Sequence, residues 1–172
     1  MAVYNGQEFI CKSLESVLKQ TYGDFVFLII NDASTDETVS LIKAYDDPRI
    51  RLENNAKNLG LAATLNRGLD MIDTEFAARM DCDDICHPRR FEWQVAFMEE
   101  HPTCGILGTW ARSVGLPGQR ATLRYPELPD ETRICQFFRS PVAHPTVILR
   151  KALLDQHQLR YDPLFSRTED FD

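Results

Sequence analysis

Hydrophobic and polar positions follow two different periods in the first 111 residues. Over 8–20 the apolar side chains recur at helical spacing, which predicts an amphipathic helix. Residues 25–30 form an unbroken apolar run rich in aromatic and β-branched side chains, typical of a strand covered on both faces. Further strands are predicted at 50–53, 76–80 and 105–111, with helical periodicity between them. Strands that alternate with helices favour parallel pairing and right-handed crossovers. The predicted fold class is therefore α/β, an open, mostly parallel sheet flanked by helices.

Two local signals predict where helices begin. Ser34-Thr-Asp-Glu37 has the spacing of a capping box, in which side chains satisfy the first backbone N–H groups of a helix. Pro88 is predicted in the first turn of a later helix, where the missing N–H costs nothing. Phe91, Val95 and Met98 would form the inner face of that helix.

The pattern changes after Arg112. We predict a turn at Gly115-Leu-Pro-Gly118, a helix at 130–138, an extended segment at 142–150 around His144-Pro145 and a short helix at 151–157. The tail at 161–172 is polar and aromatic. A chain of this size buries roughly 70% of its unfolded surface, enough for one core. We therefore interpret 112–172 as an extension of a single domain spanning 1–172.

Composition and charge narrow the possible partners. The chain carries 19 basic and 26 acidic side chains, a net charge of −7, which argues against nucleic-acid binding through phosphates. Its five cysteines follow no disulfide framework, and no secretory signal opens the sequence, so we expect a cytoplasmic protein. No apolar run approaches the ~18 residues of a membrane span.

Acidic residues cluster where two predicted strands end. Asp32 follows the run at 25–30, and Asp81-Cys-Asp-Asp84 follows the strand at 76–80. Ligands of open α/β sheets bind at this end of the strands. Each pair of carboxylates about 4 Å apart costs about 4 kcal/mol at an effective dielectric near 20, which a hard cation such as Mn²⁺ or Mg²⁺ relieves. A solvated loop is the alternative for the acidic run, and an ordinary turn is the alternative for Asp32.

Other site classes fail on detail. An EF-hand needs an oxygen donor at its fifth position and glycine at its sixth, where this chain has Ile85 and Cys86. The spacing of the nearby cysteines and histidines matches no standard zinc site. Glycine-rich phosphate loops, dinucleotide fingerprints and the Gly-x-Ser-x-Gly elbow are absent from the sequence. These absences argue against phosphate-loop kinases, Rossmann dehydrogenases and serine hydrolases.

Seven short segments occur in a fixed order: Ala2-Val-Tyr-Asn-Gly6, Gln20-Thr-Tyr22, Ile30-Asn-Asp-Ala-Ser-Thr-Asp36, Asn58-Leu-Gly60, Asp81-Cys-Asp-Asp84, His144-Pro145 and Glu169-Asp170. Together they closely resemble the family 2 glycosyltransferases, which have the GT-A fold. Each segment alone is a weak signal, whereas the ordered set is specific and covers essentially the whole chain. The resemblance implies a Rossmann-like nucleotide-sugar-binding part at 1–111 and an acceptor-side part at 112–172.

The resemblance also implies roles for individual residues. The nucleotide would contact a set drawn from four loops: Ala2, Tyr4, Asn5, Asp32, Asn58, Gly60, Asp81 and Cys82. Asp83 would bind Mn²⁺ or Mg²⁺, with Asp84 in support. Asp170 would be the catalytic base, which takes the proton of the acceptor hydroxyl as its oxygen attacks the anomeric carbon. His144 and Glu169 are expected on the acceptor side.

Taken without the resemblance, two of these residues have simpler interpretations. Asp170 is then an exposed helix-cap carboxylate, and His144 is a hydrogen-bonded imidazole of the core. The family's first strand normally begins several residues earlier, and its relatives continue past the Glu-Asp pair. We therefore expect a chain shortened at both ends.

The leading hypothesis is an inverting, metal-dependent glycosyltransferase of cell-surface polysaccharide or glycolipid synthesis. Its donor would be a nucleotide-diphosphate sugar, with a UDP-sugar expected, and its acceptor a saccharide or a lipid-linked sugar. A lipid-linked acceptor implies peripheral association with the inner face of the membrane. The alternatives are a catalytically silent nucleotide-binding domain and a metal-free α/β scaffold for protein interaction.

Overall fold

A computed structural model describes residues 1–114 and 121–164. The predicted turn at Gly115–Gly118 and the Glu169-Asp170 pair lie outside these residues. In the described part of the chain the elements follow one another as β1 (Ala2–Val3), α1 (Ile10–Leu18), β2 (Phe27–Asn31), α2 (Thr38–Lys43), β3 (Ile50–Asn54), α3 (Leu61–Met71), β4 (Phe76–Ala78), α4 (Arg90–Glu100), β5 (Ile106–Leu107), β6 (Ala111–Arg112), β7 (Thr122–Leu123), α5 (Pro129–Cys135), a 3₁₀ helix (His144–Thr146), β8 (Ile148–Arg150) and α6 (Lys151–Gln156). No helix among them is long and apolar enough to cross a membrane.

The first three strands form a parallel sheet in the order β1-β2-β3. Strand β2 begins two residues later than the apolar run at 25–30, and Val26 is 62% exposed, whereas Phe27, Ile29 and Ile30 within β2 are buried as the run predicts. Helix α1 packs Ile10, Leu14 and Val17 into the same core cluster, which confirms its predicted face. Parallel strands leave their carboxyl ends at one edge of the sheet. The loops after β1 and β2 therefore meet there.

A second sheet joins β4, β8 and β5 in that order, and both of its pairings are antiparallel. The α/β class is confirmed, but the expectation of parallel pairing is wrong for β4 and β5. The reason is β8, which comes from the segment beyond Arg112 and inserts between them. The end of the extended segment predicted at 142–150 is the strand β8, but His144–Thr146 form a turn of 3₁₀ helix that leads into it, and the fixed φ of Pro145 suits that turn.

An apolar groove of about 500 Å³ separates the two sheets. Strand β1 pairs with only two residues of β2, Ile30 and Asn31. The start of β2, at Phe27 and Leu28, therefore lines this groove. Leu65 of α3 and Val95 of α4 are among its lining residues. Within the described residues, the two sheets are therefore held together through helices and loops rather than by a shared strand.

Two predicted helix starts are wrong in detail. Helix α2 begins at Thr38, and its N-cap residue, Glu37, makes no side-chain cap hydrogen bond. The hydroxyl of Ser34 accepts a hydrogen bond from the backbone N–H of Asn5, 2.9 Å away, so it does not form the capping box. Pro88 lies ahead of α4, outside its first turn. At Ser34, a contact with the distant β1 loop replaces the local signal.

Helix α4 is fastened to the second sheet by a buried amide. Gln94 is 2% exposed, and its Nε2 donates to the carbonyls of Leu107 and Thr146 at 3.1 and 2.8 Å. Its Oε1 accepts from Nε of Arg90 at 2.8 Å. A single side chain thus satisfies three polar groups that the apolar pattern of α4 does not reveal.

Replacing Gln94 by leucine is expected to lower the free energy of unfolding by at least about 2 kcal/mol, because it leaves buried carbonyls and a guanidinium nitrogen unsatisfied. Chemical denaturation of the variant and the wild type measures this difference. Glu100→Leu, on the exposed side of the same helix, is the control and should change the stability by less than about 0.5 kcal/mol. Equal effects of the two substitutions would contradict the role given to Gln94.

Candidate nucleotide and metal site

The loops that follow β1 and β2 are hydrogen-bonded to each other. The backbone N–H of Thr35 donates to Oδ1 of Asn5 at 2.8 Å, and the N–H of Gly6 donates to Oγ1 of Thr38 at 2.8 Å. Asn5 has a φ of 50°, in the left-handed region that asparagine tolerates better than most residues. Its side chain therefore bonds to the neighbouring loop, and these hydrogen bonds hold the β1 and β2 loops together.

Asp32 fixes the loop between β3 and α3. The carboxylate belongs to a residue only 4% exposed, and it accepts hydrogen bonds from Nδ2 of Asn55 at 2.6 Å and from the backbone N–H groups of Leu59 and Gly60 at 2.8 and 2.9 Å. Gly60 has a φ of 84°, where a side chain would be strained. Asn58, which is exposed in this loop, also accepts from the Gly60 N–H, at 3.2 Å. The structure thus joins three predicted nucleotide-binding residues in one hydrogen-bonded unit.

Asn55, which sequence reasoning missed, extends this unit towards α3. Its Nδ2 also donates to Oγ1 of Thr64 in α3, at 3.0 Å, and its Oδ1 accepts from Nη1 of Arg67 at 2.6 Å. Arg67 in turn lies 3.6 Å from the carboxylate of Glu53 in β3. A continuous polar network therefore connects β2, β3 and α3 behind the loop.

The acidic run is brought together as predicted. Asp81, Asp83 and Asp84 can each offer a carboxylate oxygen such that all three oxygens lie within 4.8 Å of one another. Burial raises the pKa of Asp81 and, together with the charges of Asp81 and Asp83, that of Asp84. Crowded oxygen ligands with raised proton affinity fit a hard divalent cation.

Two buried arginines lie beneath the acidic run. Arg79 forms a two-pronged ion pair with Asp81, with Nη–Oδ distances of 2.7 and 2.9 Å. Arg90 donates from Nη2 to the backbone carbonyls of Arg79 and Val147, at 2.8 and 3.2 Å. Both arginines are more than nine-tenths buried. Sequence reasoning missed them, although they flank the acidic run.

The acidic run is also anchored to α1 and to the β1 loop. The hydroxyl of Ser13 donates to the carbonyl of Asp81 at 3.2 Å, and Oγ of Ser16 accepts from the N–H of Cys86 at 2.9 Å. A Cβ placed on Gly6 would lie 2.8 Å from a methyl group of Val3 and 3.1 Å from Sγ of Cys82, so only glycine fits without a shift. Burial, with the charges of the neighbouring aspartates, raises the pKa of Cys82 to about 11, which keeps its thiol neutral. Cys82 therefore packs the two loops together.

Comparison with known proteins decides the family. The profile of glycosyl transferase family 2 matches residues 1–157. The chain belongs to this family. It is 35% identical to the putative glycosyltransferase EpsE of Bacillus subtilis over 153 residues, which cover 87% of the chain and 54% of EpsE.

A second relative carries a more specific name. Over 110 residues, 64% of the chain and 44% of the relative, the chain is 36% identical to the Escherichia coli UDP-Glc:alpha-D-GlcNAc-diphosphoundecaprenol beta-1,3-glucosyltransferase WfgD. The chain spans about half the length of the curated relatives it matches. Among solved structures it is similar to TarS 1–349 of S. aureus in complex with UDP, with a TM-score of 0.80 and 22% identity over 99% of the chain and 51% of TarS 1–349. This likeness confirms the GT-A fold.

Other predicted site residues of this family 2 chain lie around the same loops or apart from them. Tyr4 is half exposed at the end of β1, and Ala2 pairs with Ile30 inside the sheet. His144 is buried, with Nε2 2.9 Å from the hydroxyl of Tyr161, and the backbone of Tyr161 is held by both side-chain atoms of Asn66. The core interpretation of His144 is thus satisfied in the structure, and its acceptor-side role stays a prediction.

Asp32→Ala is expected to release the loop at 55–60, because three donors lose their acceptor, with an expected loss of about 1–3 kcal/mol of stability. Amide hydrogen exchange should become faster at Leu59 and Gly60 than in the wild type, since both N–H groups are bonded to this carboxylate. Asp46→Ala, at an exposed aspartate, should leave both amides protected. Unchanged exchange at Leu59 and Gly60 in Asp32→Ala would show that the loop is held by other contacts.

Proposed function

We propose that this chain is the donor-binding part of an inverting, metal-dependent glycosyltransferase that uses a UDP-sugar. The observation that carries the proposal is the meeting of three loops at one edge of the sheet. The β1 loop is hydrogen-bonded to the β2 loop and touches Cys82 of the acidic run. A base-binding surface and a cluster of carboxylates are thereby adjacent, as a nucleoside diphosphate requires. The names of WfgD and of the TarS complex, which mention UDP-Glc and UDP, support the choice of donor.

In this proposal different residues contact different parts of the nucleotide. Tyr4, Asn58 and Gly60 contact the base, with Asp32 holding the loop of Asn58 and Gly60 and reading the base with its remaining acceptor capacity. Ala2 and Asn5 shape the strand end beneath, and Asp81 and Cys82 lie at the ribose. These assignments are supported by the exposure of Tyr4 and Asn58 and by the bonds that order the loops.

Asp83 and Asp84 would hold Mn²⁺ or Mg²⁺. When bound, the cation supplies positive charge against the negative charge that grows on the leaving diphosphate. Asp83 is exposed and Asp84 half-buried, so the pair offers oxygen ligands at the surface of the site.

The proposed acceptor-side residues come from the segment beyond residue 112. Asp170 would remove the proton from the acceptor hydroxyl, with Glu169 and His144 on the same side. A single displacement at the anomeric carbon inverts its configuration. The diphosphoundecaprenol in the name of WfgD supports a lipid-linked sugar as acceptor, and with it polysaccharide or glycolipid synthesis at the cytoplasmic membrane face.

UDP is expected to bind the wild-type chain at least about tenfold more tightly with Mn²⁺ than with a chelator, a gain of about 1.4 kcal/mol. Asp83→Asn should lose most of that gain, because it removes a charged oxygen ligand from the cluster. Asp73→Asn, at an exposed aspartate outside the cluster, is the matched control and should bind like the wild type. Isothermal titration calorimetry measures all three, and equal UDP affinity with Mn²⁺ and with chelator would contradict the metal site.

Asp170→Asn is expected to lower the rate of sugar transfer by about 10²-fold or more while leaving UDP-sugar affinity unchanged, because an amide keeps the shape and cannot accept the proton. Asp73→Asn, at an exposed aspartate outside the proposed site, is the control and should retain transfer. Steady-state kinetics with the donor and calorimetry of donor binding separate the two effects. A large loss in Glu169→Gln with none in Asp170→Asn would assign the base to Glu169.

A further inference from the structure

Arg79 and Asp81 form a pair with the geometry that guanidinium and carboxylate groups favour. Nη2 of Arg79 lies 2.7 Å from one oxygen of Asp81, and Nη1 lies 2.9 Å from the other. Two parallel charge-assisted bonds fix the plane of the carboxylate as well as its distance. A lysine, which offers one point of charge, cannot impose that orientation.

Arg79 is buried, and its backbone is hydrogen-bonded on both sides. It is 7% exposed, its backbone N–H donates to the carbonyl of Val147 at 2.8 Å, and its own carbonyl accepts from Arg90 at 2.8 Å. Its Nε is buried and has no hydrogen-bond partner among the described residues. A buried ion pair with an unsatisfied nitrogen contributes little to stability compared with well-packed apolar side chains. The effect of this ion pair on Asp81 therefore matters more than its contribution to stability.

Pairing sets Asp81 apart from the other two carboxylates of the acidic run. In the described part of the chain, Arg79 pairs with Asp81 and with neither Asp83 nor Asp84. Both oxygens of Asp81 keep a lone pair, but the guanidinium balances the carboxylate charge. Such a group suits a neutral hydroxyl better than a cation.

We infer that Arg79 is a positioning residue that orients Asp81 for the hydroxyl groups of the donor and leaves cation binding to Asp83 and Asp84. This inference rests on the proposed function and adds to it a residue and a division of labour. Arg79 acts through Asp81 and does not itself touch the donor.

A double-mutant cycle tests the inference by calorimetry of UDP binding in the presence of Mn²⁺. Arg79→Lys is expected to weaken UDP binding about tenfold. In the Asp81→Asn background the same substitution should change the affinity by less than about twofold, because its effect passes through Asp81. A merely structural arginine would give equal losses in both backgrounds, and that result would overturn the inference.

The chain offers a matched control pair. Arg49 and Asp47 are also two residues apart and form a two-pronged pair, with Nε–Oδ1 and Nη2–Oδ2 distances of 2.9 and 2.8 Å, away from the three loops of the site. Arg49→Lys should bind UDP as the wild type does. If the wild type binds no UDP with Mn²⁺, the proposed function fails and this inference with it; if the wild type binds and Arg79→Lys binds equally well, only the inference fails.

A measurement on the wild type covers the case in which Arg79→Lys does not fold. NMR of ¹⁵N-labelled arginine side chains detects slow rotation of a guanidinium held by two bonds. Slow rotation of Arg79 is expected before and after addition of UDP and Mg²⁺. Free rotation in the presence of the ligands would show that the pair opens, and would overturn the inference.

Discussion

The shape of the candidate site depends on the buried carboxylate of Asp32. Three donors converge on it, two of them backbone N–H groups of the loop that leads into α3. A buried N–H without an acceptor is costly, so the loop has little freedom to leave this arrangement. Because Asn55 continues the network to Arg67 and Glu53, the loop is braced against both the sheet and a helix. The residues that would face the nucleotide are thus placed by bonds made behind them.

The acidic run, on the other side of the site, is also organised by buried polar groups. Three carboxylates crowd the acidic run, while two arginines are buried directly beneath it. The arginines use backbone carbonyls and one carboxylate as partners. Their positive charge therefore lies near the loop without pairing all three of its carboxylates. This arrangement offsets the repulsion among the three carboxylates and leaves carboxylate oxygens exposed.

The hydrophobic pattern predicted the first strands and helices because the buried side chains there form a continuous apolar run or recur at helical spacing. It could not predict that β8 would pair between β4 and β5, since that pairing depends on a segment about 70 residues downstream of β4. It also missed Gln94 and Arg90, because periodicity counts apolar side chains and these buried positions are polar. The capping box failed for a related reason: the hydroxyl of Ser34 found a partner 29 residues away. The acidic cluster was predictable because its three members are neighbours in sequence, whereas Arg79 is recognisable as part of it only once the ion pair is seen. The roles of Asp170 and Glu169 stay predictions.

The contact between Gly6 and Cys82 has a consequence for how this site can change over evolutionary time. Any side chain at position 6 would press on the sulfur of Cys82 and on a methyl group of Val3. A replacement at position 6 is therefore tolerated only alongside a smaller residue at 82 and a shift of the strand end. The β1 loop and the carboxylate loop are coupled in this way through the side chain of Cys82. Sequence drift in one of these two loops is therefore limited by the other.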